Sequence, residues 1–282
     1  MVFFPYPKPV DKEPFRLKEQ DSTRFGLPSK VEYCRLCTMS NQRPSSTVEF
    51  KNKGDGKKDV IRFNSEGVCD ACLVRQSKDQ IDWDAREQEL RDLCDRYRRD
   101  DGSYDCLVPG SGGKDSFMQA HLLKYKYGMN PLTCTWAPHI YTDWGWKNHQ
   151  AWVHAGFDNI LFTPNGRVHR IITRVAVEKL LHPFQPFFLG QKNFAPRIAA
   201  QYNIPLIFYG ENEAEYGNAR KDTESALRDE RYFTSSEGNQ IYLGGASVDE
   251  LSELGLSEGD ISPYLPLEAE YLNEKDIQVH YL

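Results

Sequence analysis

A glycine-rich loop over residues 109–116, Pro-Gly-Ser-Gly-Gly-Lys-Asp-Ser, has the side chains and the backbone freedom needed to bind phosphate. Glycines allow a tight turn that brings N–H groups close to an anion, and the start of a following helix favours negative charge. Lys114 can neutralise phosphate, Ser111 and Ser116 can donate hydrogen bonds to it, and the carboxylate of Asp115 can hold Mg²⁺. The spacing is neither that of a Walker A loop nor that of a G-x-G-x-x-G dinucleotide fingerprint. The alternative is a Gly/Ser turn that caps a helix without a ligand.

Four of the seven cysteines form two C-x-x-C pairs, Cys34/Cys37 and Cys69/Cys72, with 31 residues between the pairs. Two such pairs can hold one tetrahedral zinc ion, and four thiolates leave no open coordination position, so the predicted role is structural. Residues 31–78 are too few to build a self-sufficient apolar core, and a metal would staple them. An iron–sulfur cluster uses the same ligands, and thiols buried without a metal are the simplest alternative.

The elements that must position these residues alternate between strands and helices. Predicted strands cover 104–109, 131–136, 159–163 and 205–209. A helix capped by Asp82 comes before them, and further predicted helices cover 114–127, 145–155, 167–181, 193–202 and 248–254. This order is typical of βαβ units, so the predicted fold class is α/β: a doubly wound, mostly parallel sheet with a small N-terminal zinc-binding module. The predicted domains are an extended lead-in over 1–30, the cysteine module over 31–78 and the α/β domain over 79–282.

A second, acidic loop follows the fourth predicted strand and runs Gly-Glu-Asn-Glu-Ala-Glu-Tyr-Gly over 210–217. In an open α/β sheet, ligands bind outside the carboxyl ends of the strands, so this loop and the glycine-rich loop can share one crevice. Carboxylates there would repel a triphosphate unless Mg²⁺ bridges them, which makes Glu211 and Glu215 candidate magnesium ligands together with Asp115. The alternative is a solvated acidic loop.

In its strand–loop–helix context, Ser-Gly-Gly-Lys-Asp-Ser resembles the PP-loop of the ATP pyrophosphatase superfamily, whose fold is adenine nucleotide alpha hydrolase-like. The resemblance implies that ATP is cleaved between its α and β phosphates, so that a substrate oxygen is adenylylated and pyrophosphate leaves. It implies catalytic roles for Lys114, Asp115 and Glu215. The ATP-binding residues would be Gly110, Ser111, Gly112, Gly113, Lys114, Asp115 and Ser116. The acidic loop is also similar to the corresponding loop of amide-forming PP-loop enzymes such as NAD synthetase.

A wider resemblance covers residues 33–217, in the stretches YCRLCTMSNQRPS, GVCDACL, DCLVPGSGGKDS, TWAPHIYTDWGWKN, LFTPNGRVHR, HPFQPFFLGQKNFAP and YGENEAEYG. In this order they are similar to N-acetyl sugar amidotransferases of bacterial surface-glycan synthesis, including lipopolysaccharide O-antigen and flagellar glycans. The resemblance implies that ATP and ammonia convert an acetamido group of a free or nucleotide-linked sugar into an acetamidino group. The resemblance also implies that ammonia comes from a separate glutaminase partner, often with a cyclase-like companion. This sequence itself has no G-x-C-x-G elbow.

Polar and aromatic side chains after the second and third predicted strands are the candidate sugar-binding residues. They are His139, Tyr141, Asp143, Trp144, Asn165, His169, Gln191 and Lys192. Aromatic faces stack on pyranose rings, and amides and charged groups pair with hydroxyls or a carboxylate. For each of these residues, packing or helix capping is the alternative role.

Two other functions fit parts of the sequence. A PP-loop enzyme that thiolates a tRNA base also combines C-x-x-C pairs with SGGxDS, but it needs a basic face and usually catalytic cysteines beside the active site. The net charge of −6 and the positions of Cys106 and Cys134 inside predicted strands disfavour that interpretation. A non-catalytic scaffold with a degenerate nucleotide fold is disfavoured by the intact glycine-rich loop.

Composition and hydropathy limit the class of protein further. Hydrophobic residues make up 39% and charged residues 27% of the chain, which is an ordinary globular balance. The sequence has no apolar run of about 18 residues and no signal peptide at its start, so we expect a cytoplasmic enzyme or binding protein without membrane insertion. The acidic balance, with 35 Lys+Arg against 41 Asp+Glu, also argues against a nucleic-acid partner.

Overall fold

A computed structural model describes residues 26–44, 48–54, 56, 59–211, 225–235 and 240–282 of the chain. Its main feature is a five-stranded sheet with the order β3-β2-β1-β4-β9, in which every neighbouring pair is parallel. The strands are β1 (Cys106–Pro109), β2 (Pro131–Trp136), β3 (Asn159–Phe162), β4 (Leu206–Tyr209), β5 (Thr234–Ser235), β6 (Tyr242–Leu243), β7 (Ala246–Ser247), β8 (Leu267–Glu268) and β9 (Gln278–Tyr281). Strands β5 and β8 form a separate parallel pair, and β6 and β7 form an antiparallel pair.

Helices connect the strands of the sheet. In the described residues the α-helices are α1 (Asp70–Ser77), α2 (Trp83–Tyr97), α3 (Lys114–His121), α4 (Asp143–His154), α5 (Gly166–Leu180), α6 (Gln185–Tyr202), α7 (Val248–Glu253), α8 (Glu258–Ile261) and α9 (Ala269–Glu274). Helix α3 continues as a π-helical segment, Leu122–Lys126. Short 3-10 segments cover Glu49–Lys51, Lys78–Gln80, Glu230–Tyr232 and Ser262–Tyr264. The alternation of strands and helices confirms the prediction of an α/β fold with a mostly parallel sheet.

Strand β1 shows how the sheet is covered on both faces. Leu107 lies in a buried cluster with side chains of α5 and α6. Its neighbours Cys106 and Val108 lie in a second buried cluster, with side chains of α2, α3 and α4. Successive residues of a strand point to opposite faces, so the two clusters are the two sides of one sheet. The sheet is therefore sandwiched between two helical layers.

Strand β2 has the bounds that the sequence predicts, because all six of its residues are buried. A strand covered on both faces is a near-continuous apolar run, and Pro-Leu-Thr-Cys-Thr-Trp approaches that pattern. Its two hydroxyl groups still need partners: the amide of Asn159 donates to Oγ1 of Thr133 at 2.9 Å and to Oγ1 of Thr135 at 3.1 Å. The two threonine hydroxyls of β2 thus have a partner on the adjacent strand.

The structure differs from the sequence-based prediction at α6 and at β9. The predicted start of a helix near residue 193 is wrong, because α6 begins at Gln185 with Pro186 in its first turn, where a missing N–H leaves no hydrogen bond unmade. Pro196 lies inside α6, and burial of this helix against the sheet outweighs the backbone bond that proline removes. The sequence also predicts no strand at the position of β9, which pairs with β4 along its whole length.

The segment with the paired cysteines has a small cluster of its own, formed by Cys34, Ile61, Val68 and Cys69. Phe50, which lies between the two cysteine pairs in sequence, belongs instead to the main core, where it is 1% exposed. Next to it, the amide of Gln185 donates to the carbonyl oxygen of Glu49 at 3.1 Å. The middle of the predicted cysteine module is therefore anchored in the α/β core, and a domain boundary near residue 78 stays a prediction.

Candidate functional site

The glycine-rich loop leaves β1 where the strand order changes direction. Strands β2 and β3 lie on one side of β1, and β4 and β9 lie on the other. Ligands of open α/β sheets bind outside the carboxyl ends of the strands at such a switch point. A Cβ atom on Gly210, directly after β4, would lie 3.3 Å from Cβ of Asp115. The two loops predicted to share a crevice therefore adjoin at this edge.

Two glycines allow the backbone of the glycine-rich loop to pack closely against helices α3 and α4. Gly112 has a φ of +80°, and a Cβ there would come within 2.7 Å of the carbonyl oxygen of Asn148 and 2.9 Å of Cα of His149. A Cβ on Gly110 would come within 2.1 Å of Cβ of Ser116. A side chain at either position would displace the loop, so the sequence requires glycine for a backbone that runs between α3 and α4.

The first turn of α3 presents the polar groups of the loop to solvent. The amino-terminal cap of the helix is Gly113, and no side chain caps it among the described residues. Nζ of Lys114 lies 2.6 Å from Oδ1 of Asp115, and both side chains are exposed, Lys114 at 88%. Exposed donors beside a helix amino terminus can receive a phosphate group, and the adjacent carboxylate can hold its metal ion.

The acidic loop is described only as far as Glu211, which is exposed. Glu215, predicted as a catalytic residue and a magnesium ligand, lies outside the described residues. Because Gly210 adjoins Asp115, Glu211 follows the point of contact by one residue. In the described part of the chain, Asp115 therefore lies close to the start of the acidic loop. This is required if Asp115 and the glutamates of that loop are to bind the same magnesium ion.

Gln119 is a site residue that sequence reasoning missed. It is 5% exposed, lies one helical turn after Asp115 on α3, and a Cβ on Gly210 would come within 3.2 Å of its Cδ. Neither its amide oxygen nor its amide nitrogen has a hydrogen-bond partner among the described residues. A buried amide without partners is costly, so this one points to a partner at the crevice. The i, i+4 spacing from Asp115 is the only signal in the sequence that places it on the same helix face.

The loop after β2 and helix α4 line the β2 side of the candidate crevice. The hydroxyl of Tyr141 and Nδ1 of His149 are buried without partners among the described residues, and both rings contact Trp146, at 5.2 and 5.6 Å between centroids. Burial raises the pKa of Tyr141 and lowers that of His149. Burial thus favours the neutral form of His149, whose Cα lies beside Gly112.

Two predicted sugar-binding histidines lie in contact. Nε2 of His169 lies 2.7 Å from Nδ1 of His139, and the ring centroids are 4.6 Å apart. Nδ1 of His169 lies 2.9 Å from the hydroxyl oxygen of Tyr264, which is 1% exposed. His139 is exposed at the carboxyl edge and also packs beside the rings of Phe184 and Phe187. The sequence contains no local signal for Tyr264, because it lies 95 residues after His169.

The remaining sugar candidates are not gathered in the same way. Oδ1 of Asn165 accepts from the backbone N–H groups of Arg167 and Val168, so this side chain caps α5. Asp143 is exposed in the first turn of α4, and Trp144 is 73% exposed with Nζ of Lys147 4.8 Å from its ring centre. On α6, Gln191 is exposed and Lys192 is partly buried. Helix capping, the alternative role, is the one that the structure shows for Asn165.

The four paired cysteines form one cluster. Their sulfur atoms all lie within 4.8 Å of one another, with 3.9 Å between those of Cys34 and Cys72 and 3.7 Å between those of Cys37 and Cys69. Burial raises the pKa of Cys34, but the backbone N–H groups of Cys69, Leu36 and Cys37 outweigh it and lower that pKa to about 6. The cluster can hold a metal ion such as zinc, and N–H donors to sulfur stabilise the thiolate that a metal needs.

The other three cysteines lie in the core. Cys94, Cys106 and Cys134 are each at most 1% exposed. Burial raises the pKa of all three thiols, that of Cys94 to about 11. A thiol reacts as its thiolate, so these groups are packing residues and not nucleophiles. Among the described cysteines, none outside the four-cysteine cluster is available for a thiolation reaction.

No described helix is both long enough and apolar enough to cross a bilayer. No family model matches the chain. A stretch of 75 residues is 31% identical to part of an uncharacterized protein of Methanocaldococcus jannaschii, and the match covers 27% of each chain. The comparisons therefore establish a local similarity over about a quarter of the chain.

Proposed function

We propose that this chain is the ATP-dependent subunit of an amidotransferase that converts the acetamido group of an N-acetyl sugar into an acetamidino group in surface-glycan synthesis. The observation that carries the proposal is the proximity of Asp115 and Gly210 at the switch point, where a Cβ on Gly210 would lie 3.3 Å from Cβ of Asp115. This proximity puts a candidate metal ligand of the glycine-rich loop beside an acidic loop. Such a pairing suits a magnesium–triphosphate better than it suits a free anion.

The proposed chemistry needs activation because an amide oxygen is a poor leaving group. The acetamido oxygen attacks the α-phosphorus of ATP, the bond from that phosphorus to the bridging oxygen breaks, and pyrophosphate leaves. Ammonia then attacks the activated carbon, AMP leaves with the electron pair of the C–O bond, and the nitrogen loses a proton to solvent. The protein has to position three reactants and stabilise phosphate charge, and no covalent nucleophile is required.

The residues of the glycine-rich loop divide these tasks. Lys114, Ser111 and the N–H groups of 112 and 113 would bind the departing pyrophosphate. Asp115 would hold Mg²⁺ together with Glu211 and Glu215, and the ion would neutralise phosphate charge. Since Lys114 pairs with Asp115, nucleotide binding would exchange this carboxylate for phosphate as the partner of the lysine. Both charges are therefore ready at the surface, and neither has to be uncovered.

The sugar would lie on the β2 side of the nucleotide, and ammonia would come from a glutaminase partner. His139, with Phe184 and Phe187 beside it, offers a polar tip and an apolar wall at the carboxyl edge. Pyranose rings bind to such surfaces through their C–H faces and their hydroxyls. Because the described thiols outside the metal cluster are buried, a tRNA-thiolating function has less support than a sugar-modifying one.

We propose zinc as the metal of the four-cysteine cluster. Four sulfurs at about 2.3 Å from one tetrahedral ion lie about 3.8 Å from each other. The distances of 3.7 and 3.9 Å between two pairs of sulfurs fit this arrangement. In a [4Fe–4S] cluster each cysteine binds a different iron atom, and in a [2Fe–2S] cluster the four thiolates are divided between two iron atoms, so both clusters spread the thiolates further apart than one ion does. The proposed role is to stabilise the fold of the segment around the cysteines.

The test is a reaction of the full chain with ATP, Mg²⁺, ammonium and a panel of free and nucleotide-linked N-acetyl sugars. We expect AMP, pyrophosphate and a sugar whose mass changes by the exchange of one oxygen atom for one NH group. Release of AMP that depends on tRNA and on no sugar would refute the proposal. If no sugar in the panel supports ATP turnover, even when the partner glutaminase supplies the ammonia, the result would favour the non-catalytic scaffold function.

A matched pair of variants links the activity to the site. Asp115→Ala should abolish AMP formation, because it removes a magnesium ligand from an exposed position where the fold does not depend on it. Asp92→Ala removes an exposed carboxylate from α2, on another part of the surface, and should leave AMP formation unchanged. Equal activity of the two variants would show that Asp115 has no part in the reaction.

A further inference from the structure

We infer that His139 presents a fixed Nε2–H donor to an uncharged oxygen of the substrate, and that His169 and Tyr264 determine which ring nitrogen of His139 carries the proton. The three side chains form one hydrogen-bonded series that runs from the core to the carboxyl edge of the sheet. The inference deepens the proposed function, since it rests on a substrate bound at this edge.

The buried end of the series fixes its direction. The hydroxyl of Tyr264 has one hydrogen-bond partner in the part of the chain that the structure describes, Nδ1 of His169 at 2.9 Å. Burial raises the pKa of Tyr264, so the phenol keeps its proton. If the phenol accepted from His169, its own buried proton would have no acceptor there, which is unfavourable. Tyr264 therefore donates, and Nδ1 of His169 accepts.

The direction of the hydrogen bond from Tyr264 determines the tautomer of His169, which in turn determines that of His139. A neutral imidazole carries one proton, and acceptance at Nδ1 places that proton of His169 on Nε2. Burial, with a smaller contribution from the nearby His139, lowers the pKa of His169 to about 4, so the ring is neutral at physiological pH. Nε2–H of His169 then donates to Nδ1 of His139 at 2.7 Å. Neutral His139 is left with its proton on Nε2.

The far end of the series is open to a ligand. His139 follows β2 by three residues, its ring is exposed, and its Nε2 makes no hydrogen bond to any residue within the described ranges. The rings of Phe184 and Phe187 lie 5.5 and 5.7 Å from its centre and flank it. The donor is thus held in a fixed orientation beside an apolar surface, where a partly desolvated ligand would bind.

The series also selects the chemistry of the acceptor. With Nδ1 of His139 accepting from Nε2–H of His169, the group that His139 presents outward is an Nε2–H donor. A neutral N–H donor suits a sugar hydroxyl or an amide carbonyl and offers no charge to a phosphate or a carboxylate. We therefore assign His139 to the uncharged part of the sugar. His169 and Tyr264 are positioning residues for it.

The proton positions can be measured without any reaction. In protein labelled with ¹⁵N-histidine, long-range ¹H–¹⁵N spectra distinguish the two tautomers of each of the seven histidines, and His139→Gln assigns the signal. We expect Nδ1 of His139 to be unprotonated in the wild type and partly protonated in Tyr264→Phe, with no change in the control Tyr271→Phe, an exposed tyrosine. Protonation at Nδ1 in the wild type, or no change in Tyr264→Phe, would overturn the inference.

The ligand contact is tested by kinetics with ATP, ammonium and the N-acetyl sugar. His139→Ala should raise KM for the sugar about three- to tenfold, as expected for loss of one uncharged hydrogen bond, with a smaller change in kcat. His139→Gln, whose amide can donate from nearly the same place, should restore it. An unchanged KM in His139→Ala would overturn the contact. If AMP forms without any sugar, the proposed function fails, and the spectra still decide the tautomer.

Discussion

The carbonyl oxygen of Asn148 stands 2.7 Å from the point where a Cβ on Gly112 would lie, so the glycine-rich loop rests directly on the backbone of α4. Gly112→Ala would add this clash to the strain of a φ of +80°. We expect AMP formation to fall about 100-fold, because a shift of the loop by about 1 Å misplaces the phosphate donors. The free energy of unfolding should fall by about 1–3 kcal/mol, measured by urea denaturation.

Gly102→Ala is the control for this variant. Gly102 has a φ of +82°, but no atom lies within 4 Å of the place where its Cβ would be. Its alanine variant should lose about 1 kcal/mol of stability from backbone strain and keep full AMP formation. A similar loss of activity in both variants would show that contact with Asn148 is not the reason.

A variant of Gln119 tests whether its buried amide affects the stability of the fold or the reaction. In Gln119→Leu an amide that has no hydrogen-bond partner among the described residues becomes an apolar group of similar size, so stability should change by less than about 1 kcal/mol. AMP formation should fall about tenfold or more, because a hydrogen bond to a charged group is worth about 1.5–3 kcal/mol. Thermal unfolding and initial rates would be measured on the same preparation. Full activity in the leucine variant would mean that the amide serves neither the nucleotide nor the acidic loop.

Zinc removal should act on the cysteine cluster and leave the sheet folded. Cys69→Ser should abolish stoichiometric metal binding, because three thiolates no longer close the tetrahedral site around a buried position. We expect increased proteolysis near residues 31–44 and 59–77, and a far-ultraviolet circular dichroism signal close to that of the wild type. Cys94→Ala removes a thiol from the main core and should keep its metal in elemental analysis. Metal loss in both variants, or in neither, would contradict the assignment.

The stability of the protein should depend on pH through His169. Burial lowers its folded pKa to about 4 from 6.5, so the unfolded state takes up a proton first as the pH falls. The stabilisation is complete above about pH 6.5 and is lost progressively down to about pH 4. Between pH 7 and pH 4.5 the wild type should therefore lose about 1–3 kcal/mol more than His169→Gln, measured by urea denaturation.

The difference between variants is the quantity to compare, since metal loss at low pH affects the wild type and His169→Gln alike. His154→Gln, which removes an exposed histidine of α4, should show the same pH dependence as the wild type. If His169→Gln were as sensitive to pH as the wild type, the buried histidine would not be the cause.

The predictable part of the fold is the part with a buried, continuous pattern. The bounds of β2 follow from six successive buried residues, and the start of α2 follows from Asp82, whose carboxylate accepts from the N–H of Ala85 at 3.0 Å. Strand β9 could not be predicted in this way, since only Val279 of its four residues is buried. Its place in the sheet is decided by pairing with β4, a tertiary contact that a local pattern does not contain.

The candidate site was predictable where it is local in sequence. The glycine-rich loop and the paired cysteines are short motifs, and the structure places each as one unit. His139 and His169 could be proposed as ligand-binding residues from their positions after strands, but their contact depends on the strand order. Tyr264 and Gln119 were missed, because a tyrosine in a distant segment and a glutamine on a helix look like ordinary packing residues until their partners are known.

The anchoring of Phe50 in the main core alters the entropy of closing the metal site. Without this anchor, a metal bound by both cysteine pairs would close one loop of 31 residues. With Phe50 already held, the same metal closes two shorter segments, and the entropy of closure rises with the logarithm of loop length. The middle of this segment is thus held by packing in the core as well as by the metal. The metal joins the two cysteine pairs, and the segment that links each pair to Phe50 is already attached to the core. The affinity for the metal should therefore depend on the integrity of the core.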